Sequence, residues 1–582
     1  MTLRFLDPLA GAIAPLRQLG SRHLIRALLP SLVHGSAAQI SRHTLLRLWR
    51  GYGNREAIVD GDLRISFEGL ADRAVQLARV LQEQGLKPGD HLALLAGNSA
   101  LWFEAMAATS LLGIRMPLIN WHLNDLETGN CIRLSGARFL LVEQRFLDHI
   151  DDDTRWDLER IIIAGSDHPP AGMLSLEALL ANQHGSLPAG DFTFSPKLFS
   201  GGTTGTPKFI DLDSKTLNRR QAEGLAPNRR TLLRLAWQML SLPSLLQLGS
   251  LRDSHSHNIR SLIPSPLYHA GGQAAAIPLF MGGTVVPMAK FDAAEFLHLI
   301  ERERINWTFV TPTMLERVLA LPDAVKHQHN LSSMRVMLCS AAPCPAPVKQ
   351  KINALLSRQG CESDVFHEFY GSSEAGPVTM LIPADYQQDP ARYASVGKAR
   401  LGDCRIYDAR QKTWAATGED GKVLLRSPAV FALAYGGKSE AQMRSHFVEV
   451  DRELWYDDGL IGQLDADGFL YITGREKEML IVGGVNIYPN EIEEILKRHP
   501  DVMDAAVVPA SDKDLGEVPV AVISITDSAT PVSEQQMIDF CKEQGLYGFK
   551  LPRRVIMAEH LPRDAAGKLR KQRIRQEYVD GV

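Results

Sequence analysis

The sequence predicts an α/β protein: a large N-terminal domain with mainly parallel sheets, followed by a small α+β domain at the C-terminal end. Three observations predict it. From about Asn54, short apolar runs of strand length alternate with stretches whose apolar residues recur at helical spacing. The strand-like runs are apolar throughout, the pattern of strands covered on both faces. Over about the last one hundred residues the alternation gives way to a helix, two strands and a second helix.

The elements follow in order. Phe67, Leu70, Ala71, Ala74, Leu77, Ala78 and Leu81 recur at helical spacing, and Gly85 with the turn Lys87-Pro88-Gly89-Asp90 ends that helix. Residues 91–95 read as a short strand, 99–112 as a helix and 116–119 as a strand. Further buried strands are expected at 137–142, 160–164, 283–287, 307–310, 334–339 and 365–370. The final unit has a helix at 491–498, strands at 505–508 and 518–524, and a helix at 534–543. The polar segment Gly474-Arg475-Glu476-Lys477-Glu478 separates the two parts. The expected division is an extension over 1–50, a large domain over 51–474, a connector over 475–478 and a small domain over 479–582.

Composition narrows the functional classes. The 582 residues carry 63 Lys+Arg against 67 Asp+Glu, a formal net charge of −4, which argues against a dedicated nucleic-acid binder. Six cysteines without CxxC pairs exclude a disulfide scaffold and a zinc site of familiar spacing, and fit a reduced cytoplasmic compartment. No run of apolar residues is long enough to span a bilayer. Near the N-terminus, Leu16, Leu19, Leu24, Ile25, Leu28, Leu29 and Leu32 mix with Arg4, Arg17, Arg22 and Arg26, while Asp7, Pro8 and Pro15 interrupt any signal-peptide core. Two readings stay open there: a basic amphipathic helix lying peripherally on the inner membrane surface, or a leading helix packed on the first domain.

The strongest local signal is Ser200-Gly201-Gly202-Thr203-Thr204-Gly205-Thr206-Pro207-Lys208. Three glycines allow the backbone to approach a phosphate, and four hydroxyls and a lysine add donors and charge. Walker A spacing is absent. A second signal is Tyr370-Gly371-Ser372-Ser373-Glu374, where a carboxylate suits a hard divalent cation. Pro266-Leu267-Tyr268-His269-Ala270-Gly271-Gly272, Ser340-Ala341-Ala342-Pro343 and Gly567-Lys568 complete the set.

With these motifs in this order, the chain from about Asn54 to Lys568 resembles the adenylate-forming superfamily, most closely the AMP-forming fatty-acyl-CoA synthetases. The resemblance implies activation of a carboxylic acid by ATP with Mg²⁺, release of pyrophosphate, and transfer of the acyl group to the thiol of CoA, with the small domain rotating between the half-reactions. Thr203, Thr204, Gly205, Thr206 and Lys208 would hold the β- and γ-phosphates, although Phe209 follows the lysine where glycine is usual. Ala341, Ala342 and Pro343 match the adenine-binding segment, with Tyr370 stacking on the base beside Gly371 and Ser372. Ser373 would contact phosphate and Glu374 would bind the metal. His269 would border the acid, Arg475 the ribose or phosphate, and Gly483 and Gly484 the pantetheine arm. Lys477 takes the hinge position, and Lys568 would bridge the carboxylate and the α-phosphate.

One stretch departs from the pattern. In Trp455-Tyr456-Asp457-Asp458-Gly459-Leu460-Ile461-Gly462, Leu460 occupies the position of the aspartate that accepts the ribose hydroxyls in similar enzymes. Either Asp457 or Asp458 substitutes for it, or ATP binds more weakly, or the protein is a degenerate acyl- or nucleotide-binding relative. The block Met116-Pro117-Leu118-Ile119-Asn120-Trp121-His122-Leu123 resembles that of medium- and long-chain ligases, so a fatty acid is the expected substrate. The runner-up acceptor is a separate phosphopantetheinyl carrier protein.

Overall fold

The computed structural model describes residues 37–181, 183, 185–188, 196–200, 208–212, 234, 259–280, 282–342, 344–372, 375–427, 433–435, 446–482, 485–513, 515–525, 532–546, 548–563 and 568–580. A nine-stranded sheet forms the centre of the large domain. Its order is Lys398–Ala399, Gly376–Leu381, Phe366–Ser372, Val336–Cys339, Trp307–Val310, Arg260–Ile263, Thr284–Pro287, Glu56–Asp60, Leu63–Ser66. The inner pairs are parallel and the pairs at both ends antiparallel. Successive residues of one strand enter different cores: Val336 and Leu338 join one cluster, Met337 and Cys339 another. Both faces are therefore covered, which is why these strands read as unbroken apolar runs. A second sheet, Leu92–Leu95, Phe139–Glu143, Arg160–Ala164 and Leu174–Ser175, is parallel throughout.

The α/β class and its parallel sheets agree with the sequence, but an antiparallel layer is not expected from it. The strands Asp403–Asp408, Gly421–Arg426, Phe447–Val450, Glu453–Leu464 and Leu470–Arg475 form an antiparallel sheet with Thr413–Trp414 at its edge.

The expected boundary at 50/51 falls inside the helix Ala37–Tyr52. Leu45, Leu46, Trp49 and Tyr52 are buried in the main core, so from Leu45 this helix belongs to the large domain. The segment 1–36, with both of its readings, lies outside the described residues. Among the described residues no helix is long and apolar enough to cross a membrane. The next helix, Phe67–Glu83, starts where the Ser66 hydroxyl accepts the Gly69 N–H at 3.0 Å, and it buries the predicted apolar stripe.

At one edge of the central sheet, Glu303 gathers three arginines: Arg64 at 2.9 Å, Arg260 at 2.8 Å and Arg302 at 3.1 Å. Burial alone would raise the Glu303 carboxyl, but the bonds from Arg64, with Arg260 and Arg302 beside it, outweigh burial and lower it. The stabilisation is therefore present above the ordinary carboxylate range and lost as pH falls through the lowered value. Glu303→Ala is expected to cost about 3 kcal/mol at neutral pH, because three cations lose a buried carboxylate and, among the described residues, only Arg64 and Arg260 keep another, Glu56, at 3.2 and 2.8 Å. The gap between variant and wild type in urea unfolding should close toward acid, and a pH-independent gap would contradict this account.

The strand Leu470–Arg475 still belongs to the large domain, pairing with Glu453–Leu464. The next strands, Leu480–Val482 and Val485–Ile487, join Gly516–Ile525, Val502–Asp512 and Arg554–Ala558 in the C-terminal sheet. Between them Glu476–Glu478 makes one tight turn. Glu476 pairs with Lys422 of the large domain at 2.8 Å, and Glu478 with Lys571 of the small one at 2.7 Å. Gly474 is a glycine for steric reasons: a Cβ there would sit 2.6 Å from the Tyr488 ring.

Candidate active site

The strand Phe366–Ser372 ends on Tyr370-Gly371-Ser372. Tyr370 is buried and its hydroxyl donates to Asp458 Oδ2 at 2.8 Å. Burial and then the Asp458 charge raise the hydroxyl well above its ordinary pKa, so it stays a protonated donor. At Gly371 the backbone bulges, and a Cβ would lie 1.9 Å from the Gly376 carbonyl oxygen, so only glycine fits. The Ser372 hydroxyl accepts the Ala375 N–H at 3.0 Å. On the neighbouring strand, Ser340 donates its N–H to Val310 at 3.3 Å. Ala341 then takes φ +78°, a left-handed conformation that costs an L-residue about 1–2 kcal/mol.

The strand Glu453–Leu464 approaches the same place. Tyr456 and Leu460 pack into the apolar cluster that contains Tyr370, with Asp458 between them in the alternation. Asp457 is already engaged: its carboxylate takes Lys422 at 3.0 Å and the Gly459 N–H at 2.8 Å. Burial opposes the Lys422 charge, but bonds to Glu476 and Asp457 outweigh it and raise the ammonium pKa. Both aspartates beside Leu460 thus have protein partners. Arg475 lies opposite Leu460 in the sheet register and is exposed.

A second group of side chains forms around the 266–272 turn. His269 closes it by donating its N–H to Pro266 at 3.0 Å, and its ring lies 4.6 Å from that of Tyr268. The buried Tyr268 hydroxyl meets His122 Nδ1 at 2.7 Å. Gly271 lies so close to Phe309 that a Cβ would be 2.3 Å from its ring. The Phe309 ring is 6.0 Å from that of Phe369, the residue before Tyr370. The turn with His269 and the strand with Tyr370 are therefore joined through aromatic packing.

Other predicted residues are placed in part or not at all. Lys208 heads the strand Lys208–Leu212, paired with Ser200 across the ladder. Lys477 lies in the turn Glu476–Glu478. Lys568 is exposed on the C-terminal domain, in the loop closed by the Arg563–Leu569 bridge. Thr203, Thr204, Gly205, Thr206, Pro343, Ser373, Glu374, Gly483 and Gly484 lie outside the described residues. Sequence reasoning missed the bond from Tyr370 to Asp458 and the ties of Trp121 and His122 to Tyr268. Only the unusual residues at 457–460 hinted at the first.

The AMP-binding enzyme family matches residues 46–433, and its C-terminal domain matches residues 491–568. The chain belongs to the AMP-binding enzyme family. Among its relatives is the 3-[(3aS,4S,7aS)-7a-methyl-1,5-dioxo-octahydro-1H-inden-4-yl]propanoyl:CoA ligase of Rhodococcus jostii, 30% identical over 92% of this chain and 98% of that protein. The indoleacetate–CoA ligase of Aromatoleum aromaticum is 31% identical over 88% of this chain and 93% of its own length. Among solved structures, the anthranilate CoA ligase AuaEII in complex with anthranoyl-AMP superposes with a TM-score of 0.73 at 25% identity, covering 91% of this AMP-binding enzyme and 96% of that chain.

Proposed function

We propose that this AMP-binding enzyme is an AMP-forming acid–CoA ligase whose substrate is a ring-bearing carboxylic acid. The observation that carries the substrate class is the company of relatives: a bicyclic propanoyl:CoA ligase and an indoleacetate–CoA ligase, both matched over nearly their full length. The fatty acid expected from residues 116–123 is the competing reading. In the first half-reaction the acid's carboxylate attacks the α-phosphorus of ATP and pyrophosphate leaves. In the second the CoA thiol attacks the acyl carbonyl and AMP leaves.

The residues suit the nucleotide. Tyr370 offers a buried ring, and the small residues Ala341 and Ala342 follow the neighbouring strand Val336–Cys339. The loop with Thr203, Thr204, Gly205, Thr206 and Lys208 takes the outer phosphates. Glu374 would hold Mg²⁺, which would neutralise phosphate charge. Lys568 bridges carboxylate and α-phosphate, Lys477 turns the small domain, and Gly483 and Gly484 admit the pantetheine arm. Peripheral membrane contact through the arginines of residues 1–35, in a cytoplasmic enzyme, belongs to the same reading.

Leu460 sets a specific expectation. A hydrogen bond to a charged group contributes about 1.5–3 kcal/mol. With Asp457 and Asp458 otherwise bonded, Leu460→Asp should lower the KM for ATP by about tenfold or more, and wild type should discriminate weakly between ATP and its 2′-deoxy analogue. The test is ATP–pyrophosphate exchange across ring-bearing, fatty and amino acids. Exchange driven best by a ring-bearing acid is expected. Absence of exchange with every acid, in wild type and in Leu460→Asp at saturating ATP, would overturn the ligase reading.

A further inference from the structure

We propose that Trp121 and His122, pinned by Tyr268, form the flat wall of the acid pocket that selects a ring-bearing acid over a straight-chain one. The inference rests on the ring-bearing substrate proposed above and assigns its recognition to residues outside the 266–272 motif. The two side chains follow the short strand Met116–Pro117, in a turn that the Asn120 side chain fixes by accepting the His122 N–H at 2.9 Å.

The geometry is that of a stacked platform. The His122 ring lies 3.6 Å from the Trp121 ring at an interplanar angle of 27°. Phe146 stacks nearly parallel to the same indole, at 5.6 Å and 24°. Tyr268 meets the indole edge-on at 6.1 Å and 84°, and its hydroxyl holds the imidazole. Every ring in the group is thus fixed by at least one other. Burial, then Lys290 and His149 nearby, lower the His122 pKa, so near neutral pH the ring is an uncharged stacking partner.

The platform also lies next to the reacting end. Tyr268 precedes His269, and the same turn packs through Gly271 on Phe309, then Phe369, the neighbour of Tyr370. The contact of His122 with Tyr268 is partly buried and His122 still reaches solvent, so the platform is open to a ligand on one side. A flat ring laid on such a surface gains offset stacking of about 0.5–1.5 kcal/mol beyond area burial, which a flexible alkyl chain lacks. An alkyl chain also loses rotamer freedom when it is ordered there.

The test uses the full chain and compares indole-3-acetate with octanoate in ATP–pyrophosphate exchange. Trp121→Ala should lower the ratio of kcat/KM for the ring-bearing acid over octanoate by about tenfold, chiefly through the KM of the ring-bearing acid, and Trp121→Phe should restore most of that ratio. His122→Ala and Tyr268→Phe should each lower the ratio, and the double variant no further than the stronger single one, because they break the same contact. Wild type that activates indole-3-acetate, combined with an unchanged ratio in Trp121→Ala, overturns the wall. A change confined to the KM of ATP overturns it equally. Wild type that prefers octanoate overturns instead the ring-bearing substrate on which the wall rests.

Discussion

Lys568→Ala is expected to lower acid-dependent pyrophosphate exchange by about two to three orders of magnitude, the range seen when one preorganised charge donor is removed from a developing anion. Thiolysis of a supplied acyl-adenylate should persist. The reason is where charge develops. The α-phosphate gains negative charge as the carboxylate attacks it, and Lys568 would stand there in that half-reaction. In thiolysis AMP leaves after the small domain has rotated, so Lys568 would no longer face the phosphate. Lys568 is exposed, in a loop closed by the Arg563–Leu569 bridge and by Arg570 donating its N–H to Pro562 at 2.8 Å. Truncating an exposed side chain there should leave the melting temperature within about 1 °C of wild type, since such surface changes are worth under about 0.5 kcal/mol. Equal loss of both half-reactions would contradict the role assigned to Lys568.

Much of the fold is legible from periodicity because the central strands are buried on both faces. The run 307–310 is the strand Trp307–Val310 without adjustment, and 534–543 is the helix Glu534–Glu543, fixed by a capping box of Ser533 and Gln536. The antiparallel sheet around Asp403–Asp408 escapes the same reasoning. The strand Asp403–Asp408 mixes buried, half-buried and exposed positions and carries Asp and Arg, and in Gly421–Arg426 the apolar run is only Val423-Leu424-Leu425 between Lys422 and Arg426, too short to announce a strand. The site divides in the same way. Tyr370, His269 and Leu460 stand out because they occur in short motifs whose residue types imply chemistry. The partners that complete them are 88 residues away for Tyr370 and Asp458, and 146 for Tyr268 and His122. Such contacts are set by sheet order and not by local spacing. The Leu460 departure is visible in one dimension, but its packing with Tyr370 and the engagement of both neighbouring aspartates are not.

Lys349→Met is expected to cost about 3–5 kcal/mol at pH 8, the range for breaking a buried ion pair from one side. Lys349 and Glu368 are ion-paired with side chains 1% and 2% exposed, and Lys349 also donates to the Ser395 carbonyl at 3.0 Å. The Glu368 carboxylate accepts the Cys344 N–H as well, which ties the end of the 340–344 segment to the strand that carries Tyr370. Burial raises the Glu368 pKa, and Lys349 is what opposes that rise. In the variant the carboxyl pKa therefore climbs further above its unfolded value. The cost of folding with an ionised Glu368 applies above the raised pKa and is relieved as pH falls below it. The variant should consequently gain on wild type from pH 8 to pH 5, measured as the difference in urea midpoints. Lys349→Met with Glu368→Leu should recover most of the loss, because an apolar pair of similar volume leaves no unpaired charge. A deficit that is constant with pH and unrelieved by the double variant would show that the pair matters through shape alone. A rise in the KM for ATP in Lys349→Met that the double variant reverses would connect this buried pair to the position of Tyr370.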